Sequence, residues 1–280
     1  MRDLRQSDDV RPLLTFRAVR NLALTYPKSP FKSGPFLIYL TARSSERGAE
    51  AVKALNEDPQ LKQAKVLSQD GGDTTISFHA LDISQTKSIQ EFREFLKSKH
   101  PDGIDICINN AGIAMQGFDA NVVKTTLETN YYGTLEATQD ILPLIRNGGR
   151  MVNVSSAAGR LNKYSDEIRN ALLQAAKTDV PAVTSLMEKF KTAVNEGKEK
   201  EAGFPSAAYA VSKAGETAMT KVIAMEEAKR GRNVLVNACC PGYVKTDMTR
   251  GGGAKTPDQG AKTPVMLALE DIGGKTGEFW

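Results

Sequence analysis

The fold is decided by residues 36–57, which read FLIYLTARSSERGAEAVKALNE. The first six residues of this stretch are apolar or β-branched almost throughout, which is typical of a strand covered on both faces. The part from Ser45 to Glu57 carries a helical pattern and is long enough to form a helix. A buried strand followed directly by a helix is the repeating unit of a parallel α/β sheet.

The same alternation of strand and helix recurs along the chain. Further apolar runs predict strands at residues 75–80, 104–109, 150–155 and 233–239. Helical patterns lie between them at residues 86–99, 121–146 and 205–230. Thr256-Pro257-Asp258 is typical of a helix start because it combines a capping hydroxyl, a proline and an early acid. We therefore predict an α/β fold with a doubly wound, mostly parallel, Rossmann-like sheet that binds ligands at the carboxyl ends of its strands.

No internal repeat and no low-complexity linker divides the chain, so a single domain over residues 1–280 is the simplest interpretation. Residues from about 161 to 204 are polar, charged and helical in pattern, and we expect a helical insertion there. Residues 58–74, which include Gly71 and Gly72, predict a solvated loop.

Composition and charge argue against several classes of function. The chain has 37 Lys and Arg against 33 Asp and Glu, which is only a small positive net charge. Its basic residues are also scattered along the sequence, so we predict no nucleic-acid partner. The three cysteines lie in apolar runs and the two histidines lack companions, so we expect buried thiols, no metal site and no Ser-His-Asp triad. No segment has the roughly 18 continuous apolar residues of a membrane span, and the first residues lack the apolar core of a signal peptide. We expect a cytoplasmic protein without a membrane partner.

The strongest chemical signal is Tyr209-Ala-Val-Ser-Lys213, within a helical pattern. A spacing of i, i+4 places the phenol and the ammonium on one face of the helix. A phenol titrates near pH ~10, and a neighbouring cation favours the phenolate, so such a tyrosine can exchange protons near neutrality. An exposed pair on a solvated helix face is the alternative interpretation.

Two turns at the carboxyl ends of predicted strands accompany this pair. The strand at residues 150–155 leads into Ser156, whose hydroxyl could hydrogen-bond a substrate carbonyl and stabilise charge on its oxygen. The alternative is that Ser155 and Ser156 only cap or turn the chain. Asn109-Asn110-Ala111-Gly112 follows another strand, and its small residues let the backbone approach a ligand closely, although an ordinary turn has the same composition.

Together and in this order, these elements resemble the short-chain dehydrogenase/reductase family from about residue 18 to the end of the chain. In that family the Asn-Asn-Ala-Gly turn precedes a helix with a catalytic asparagine, here Asn130. The resemblance implies that Asn130, Ser156, Tyr209 and Lys213 are catalytic. It also implies a set of cofactor-binding residues: Asp82, Ile83, Asn110, Ala111, Gly112, Tyr209, Lys213, Pro241, Gly242, Val244 and Thr246.

Within the family, the long segment between Ser156 and Tyr209 and the Cys-Cys-Pro-Gly string are most similar to the carbonyl reductases. This similarity implies hydride transfer from NADPH to the carbonyl carbon of an aldehyde, ketone or quinone. Tyr209 would give its proton to the carbonyl oxygen, Ser156 would orient that oxygen, and Lys213 would hold the nicotinamide ribose. Asn130 would position a water that links Lys213 to solvent. In these relatives the insertion covers the surface that others use to dimerise, which implies a monomer.

The residue after the strand at 36–41 bears on the choice of cofactor. Dinucleotide folds that prefer NAD place an acid there, which binds the ribose 2′-hydroxyl. This chain has Arg43 instead, and a guanidinium pairs with a 2′-phosphate through two hydrogen bonds. We therefore predict NADPH as the cofactor, with a surface arginine as the alternative. Asp82 matches the family position that contacts adenine, although it could equally cap the following helix.

The beginning of the chain departs from the family's pattern. The family's first strand leads into Thr-Gly-x-x-x-Gly-x-Gly, whose glycines let the pyrophosphate approach a helix N-terminus, but the first glycine here is Gly34. We expect Leu13-Leu14-Thr15 to end the first strand and residues 16–23 to form the helix after a lost loop, which makes the first βα unit defective. The alternative to an active reductase is an impaired relative that acts as a binding or scaffolding protein, or an incomplete gene product.

Overall fold

The computed structural model describes residues 14–280. Its helices and strands, in chain order, are α1 (Leu14–Thr25), β1 (Phe36–Ala42), α2 (Ser45–Asn56), α3 (Pro59–Ala64), β2 (Thr74–Ala80), α4 (Thr86–Lys99), β3 (Ile104–Asn109), α5 (Ala120–Leu127), α6 (Thr134–Ile141), β4 (Ile145–Val154), α7 (Asp166–Ala175), α8 (Val180–Asn195), α9 (Ala208–Lys229), β5 (Leu235–Cys239) and α10 (Pro257–Leu269). Contacts within the chain define two compact units.

The first unit comprises the chain up to Asp82 together with Pro241–Ile272. Its sheet pairs β1 with β2 in parallel, in a register that runs from Phe36 opposite Thr74 to Ala42 opposite Ala80. The strand followed by a helix is as predicted, and the structure adds a cap, because the Ser44 hydroxyl accepts from the Arg47 N–H at the start of α2. The predicted start of α10 is also confirmed, because Thr256 and Gln259 form a capping box there.

The start of the described chain corrects one expectation. Leu14 and Thr15 open α1 instead of ending a strand, while Leu13 lies outside the described residues. The helix predicted at residues 16–23 is confirmed, and it extends at both ends. It forms because Phe16, Val19 and Leu22 recur at helical spacing and are buried.

Gly71 and Gly72 suggested that residues 58–74 form a loop, but the segment also contains a helix. Asp58 caps a short helix, α3, by accepting from the N–H groups of Gln60 and Leu61 at 2.9 and 3.2 Å. Leu61, Val66 and Leu67 are buried. The solvated loop was therefore a wrong prediction for the first half of the segment, because an Asp-Pro helix start this short leaves almost no periodicity to detect.

The second unit comprises Ile83–Cys240 and Gly273–Trp280. It contains a parallel sheet of order β3-β4-β5, against which the largely buried helix α9 packs. The last residues of the chain lie along β5, where the Cys240 N–H donates to the Trp280 carbonyl at 2.9 Å. All pairings between the strands β1 to β5 are parallel, which confirms the predicted α/β class.

The helix predicted over residues 121–146 is interrupted and ends early. A π-helical turn, Glu128–Gly133, separates α5 from α6, and β4 begins at Ile145 after a short turn that contains Pro143. An added Cβ at Gly133 would lie 2.2 Å from the Ile83 carbonyl oxygen, so the chain passes too closely there for any other residue. π-helical turns inside α-helices are frequent at functional sites.

Residues 161–204 contain α7 and α8. The insertion contacts the π-helical turn, since the Tyr131 and Thr184 hydroxyls share a hydrogen bond of 2.8 Å, and an added Cβ at Gly215 of α9 would lie 2.6 Å from the Met187 sulfur. Within residues 14–280, no helix is both long enough and apolar enough to cross a membrane.

Candidate active site

Tyr209 and Lys213 lie on the first turns of α9, as their spacing predicts. The Lys213 Nζ is 5.9 Å from the centre of the Tyr209 ring. Tyr209 is partly exposed, whereas only 3% of Lys213 is accessible to solvent. The alternative of an exposed pair on a solvated face is therefore wrong for the lysine.

The Lys213 ammonium is held by two oxygens inside the second unit. Its Nζ donates to the Val154 carbonyl at 2.9 Å and to Oε2 of Glu216 at 2.6 Å. Val154 is the last residue of β4. The lysine therefore joins the helix to the strand end that carries the two serines.

The structure distinguishes Ser155 from Ser156, which the sequence alone does not. The buried Ser155 hydroxyl lies 3.0 Å from the Lys213 carbonyl, to which it can donate, and 2.7 Å from the Thr217 hydroxyl, so it fastens the strand end to α9. Ser156 is partly exposed, and its Oγ accepts from the Ala158 N–H at 3.1 Å. An acceptor for the Ser156 hydroxyl hydrogen is absent among residues 14–280, so this hydroxyl is the one able to serve a ligand.

Asn130 lies in the π-helical turn and is fully buried. Its Oδ1 accepts from the Ile113 N–H at 2.8 Å, while its Nδ2 donates to the Ile113 carbonyl at 2.9 Å and to the Ser212 hydroxyl at 3.1 Å. The side chain thereby fixes the backbone directly after Asn110-Ala111-Gly112 against α9. Asn130 positions the glycine turn beside the lysine.

The space beside Gly112 is where these groups converge. A Cβ added to Gly112 would lie 3.2 Å from Oδ1 of Asn130 and 3.6 Å from Nζ of Lys213. The backbone at Gly112 therefore passes close to an amide oxygen and an ammonium, and a side chain there would crowd the amide oxygen. Groups of this kind bind hydroxyls, which donate to the one and accept from the other.

Glu216 is a member of the site that the sequence did not predict. It lies one helical turn beyond Lys213, only 1% of it is exposed, and its carboxylate contacts the lysine. Burial raises the pKa of Glu216 to about 7, and the charge of Lys213 partly opposes that shift. The only signal for it in the sequence is the i, i+3 spacing of Lys213 and Glu216.

The other predicted cofactor residues are divided between the two units. Ile83 opens the second unit, where its carbonyl lies against Gly133. In the first unit, Arg43 is exposed directly after β1, Asp82 follows β2, and Val244 is buried. Pro241, Gly242 and Thr246 lie around Val244, and Gly242 has a φ of +86°, which favours glycine. Their roles toward a cofactor stay predictions.

We expect Gly159→Ala to destabilise the protein by about 1–3 kcal/mol, which is typical of an overpacked contact. The new Cβ would lie 2.7 Å from the Ala214 nitrogen and 2.8 Å from the Lys213 carbonyl carbon, both of them backbone atoms that cannot rotate away. Urea unfolding measures the loss. Ala158→Ser, at an exposed position of the same turn, is the control. Equal stability of the two variants would show that the turn does not pack on α9 as described.

Comparison with known proteins identifies the family of the chain. The family model for short chain dehydrogenases matches residues 32–192 and 191–256. The chain is 38% identical over 252 residues to carbonyl reductase (NADPH) 1 of Homo sapiens, which covers 86% of this chain and 85% of that protein. It is 39% identical over 242 residues to carbonyl reductase (NADPH) 3 of Rattus norvegicus, with 83% and 81% covered.

Solved structures show the same fold. Salutaridine reductase from Papaver somniferum superposes with a TM-score of 0.79 at 24% identity, over 95% of each chain. Menthone neomenthol reductase from Mentha piperita superposes with a TM-score of 0.73 at 23% identity, over 95% of this chain and 94% of that one. The protein therefore belongs to the short-chain dehydrogenase family.

Proposed function

We propose that this protein is an NADPH-dependent oxidoreductase that reduces the carbonyl groups of aldehydes, ketones or quinones to alcohols by hydride transfer. The observation that carries the proposal is the buried Lys213 ammonium, 5.9 Å from the Tyr209 ring and 3.6 Å from the position a Cβ would take at Gly112. The names of the mammalian relatives, which specify a carbonyl substrate and NADPH, support the same chemistry.

The residues of the second unit fit the nicotinamide ribose. A side chain at Gly112 would crowd Oδ1 of Asn130, and beside this glycine lie both an ammonium donor and an amide oxygen acceptor. Lys213 and Tyr209 would hold the ribose hydroxyls, with the backbone of residues 110–112 beside them. When bound, the cofactor supplies the hydride.

The side chains then divide the remaining work. Tyr209 gives its phenol proton to the substrate oxygen, and the Lys213 ammonium stabilises the negative charge left on the phenol. Ser156 donates its hydroxyl hydrogen to the same oxygen and orients the carbonyl. Asn130 maintains the turn at Gly112 through its three hydrogen bonds, and we also assign it the water that links Lys213 to solvent.

The first experiment is NADPH binding to the purified chain, measured by fluorescence enhancement with NADH alongside, followed by a screen of aldehydes, ketones and quinones. Micromolar binding that favours NADPH supports the proposal. Absence of binding by a folded protein would overturn it and favour the non-catalytic relative, because the glycine-rich segment of the family is missing from this sequence. Sedimentation of the same sample tests the proposed monomer.

Arg43→Ala is expected to weaken NADPH binding by about 10–100-fold and to leave NADH binding unchanged, since a charged hydrogen bond to a phosphate contributes roughly 1.5–3 kcal/mol. Arg43 is exposed between β1 and the cap of α2. Lys53→Ala, which removes an exposed cation from the last turn of the same helix, is the matched control. If both cofactors weaken equally, Arg43 does not bind the 2′-phosphate.

A further inference from the structure

We propose that Glu216 is a positioning residue for Lys213: its buried carboxylate fixes the lysine ammonium beside Gly112 and Asn130, in the orientation that meets the nicotinamide ribose. The ribose contact rests on the proposed function, whereas the positioning of Lys213 does not.

The geometry leaves Lys213 little freedom. Four methylene groups carry the ammonium through a buried environment, and its two anchors are the Val154 carbonyl at 2.9 Å and Glu216 Oε2 at 2.6 Å. The carbonyl is neutral, so the charged, shorter contact is the stronger of the two. Without it, a flexible side chain with one neutral anchor would sample several rotamers, and ordering it again on cofactor binding would cost conformational entropy.

The carboxylate is equally dependent on the lysine. A buried glutamate is costly unless it is paired, and Lys213 is the charge among residues 14–280 that lowers the pKa of Glu216. The Cys239 thiol of β5 interacts electrostatically with both members of the pair: its pKa is raised by burial, by Cys240 and by Glu216, and Lys213 partly opposes that shift. Strand β4 places the Val154 carbonyl against the lysine, and the turn at residues 157–159 has no titratable side chain. Lys213 therefore stabilises the charged form of Glu216, and the Glu216 carboxylate in turn holds the lysine ammonium in place.

This pairing makes the position of Lys213 depend on pH. Burial raises the pKa of Glu216 to about 7, so the carboxyl is neutral below that pH and charged above it. We expect the ammonium to be fixed most firmly above pH 7. Glu216→Gln retains an acceptor of the same size and imitates the neutral form at every pH.

The test uses the cofactor-free protein first. The ¹³Cε resonance of Lys213, assigned by its loss in Lys213→Arg, should shift in the wild-type protein as the pH passes through about 7, and should stay constant over that range in Glu216→Gln. Glu227→Gln is the matched control, because Glu227 is also buried on α9 but pairs with Arg230 and Arg232. This control should keep the wild-type shift of Lys213.

NADPH binding supplies the second readout. We expect wild-type and Glu216→Gln proteins to bind NADPH alike well below pH 7, and the variant to bind roughly 5–10-fold more weakly above it, the difference between a charged and a neutral hydrogen bond. Glu216→Asp, which keeps the charge, should restore part of the loss.

Three results would overturn the proposal. They are a Lys213 resonance without a shift near pH 7 in the wild-type protein, the same shift in Glu216→Gln, and tighter NADPH binding by Glu216→Gln at every pH. If Glu216→Gln fails to fold, the proposal is tested by the wild-type spectrum alone, through the presence or absence of the Lys213 shift near pH 7. If the resonance behaves as expected but no protein binds NADPH, the positioning of Lys213 stands and the proposed function fails.

Discussion

Replacing Tyr209 by phenylalanine is expected to lower kcat for carbonyl reduction by about 10²–10⁴-fold, the usual contribution of a general acid. The phenol is the proton donor that the site places next to the buried ammonium, and phenylalanine removes only its hydroxyl. NADPH binding should weaken but persist, since the variant loses one proposed contact to the ribose and keeps that of Lys213. Single-turnover reduction of an aldehyde, followed by NADPH absorbance, measures the effect on chemistry alone.

The fold should tolerate this change. Tyr209 is partly exposed, and the aromatic ring that faces Nζ of Lys213 at 5.9 Å is retained. Tyr164→Phe is the matched control, because the Tyr164 hydroxyl is buried without a hydrogen-bond partner among the described residues. We expect the control to keep full activity and to be as stable as the wild-type protein or more so.

The two variants together separate the outcomes. A Tyr209→Phe protein that reduces carbonyls at the wild-type rate would assign the proton to another donor, with the partly exposed Ser156 hydroxyl the first to test. A complete loss of NADPH binding in the same protein would mean that the phenol, and not Lys213, is the main contact to the cofactor. Equal losses in Tyr164→Phe would indicate that the packing of the second unit, and not the phenol, limits the rate.

The pairing of Tyr209 with Lys213 could be predicted from the sequence because both lie on one helix, where spacing alone fixes the shared face. The choice between Ser155 and Ser156 could not, since both hydroxyls follow the same strand. That choice depends on the packing of β4 under α9, which buries Ser155 against the Lys213 carbonyl. The family resemblance placed the catalytic role on Ser156, which is partly exposed, and that role stays a prediction.

Glu216 shows a different limit of sequence reasoning. A glutamate three residues after a lysine on a helix is ordinarily a solvent-exposed partner. Only the tertiary structure buries both residues, because α9 packs against the sheet along most of its length. The predicted helix at residues 121–146 was wrong at its boundaries for a related reason. The apolar pattern continues through the π-helical turn and into the strand that begins at Ile145, so the sequence pattern does not mark where the helices end.

Phe190→Ala is expected to lower the free energy of unfolding by about 3–5 kcal/mol, the range for truncating a buried aromatic side chain. Phe190 lies on α8 of the insertion and is fully buried. Its ring centre is 5.3 Å from that of Phe204 and 6.4 Å from that of Phe118, which precedes α5. The contact with Phe204 lies within the insertion, whereas the contact with Phe118 joins the insertion to the chain before the Asn130 turn. The lost area should therefore destabilise the whole second unit.

Urea unfolding at fixed pH measures this loss, and Leu173→Ala on α7, where half of the side chain is exposed, is the control with an expected change within about 0.5 kcal/mol. The slope of the transition carries further information. A lower midpoint with an unchanged slope means that α7 and α8 unfold together with α9 and the site. A reduced slope with a small loss would mean that the insertion unfolds separately. Removing the insertion would then leave Asn130 undisturbed. That result would mean that the hydrogen bond between Tyr131 and Thr184 does not couple the stability of the insertion to that of the site.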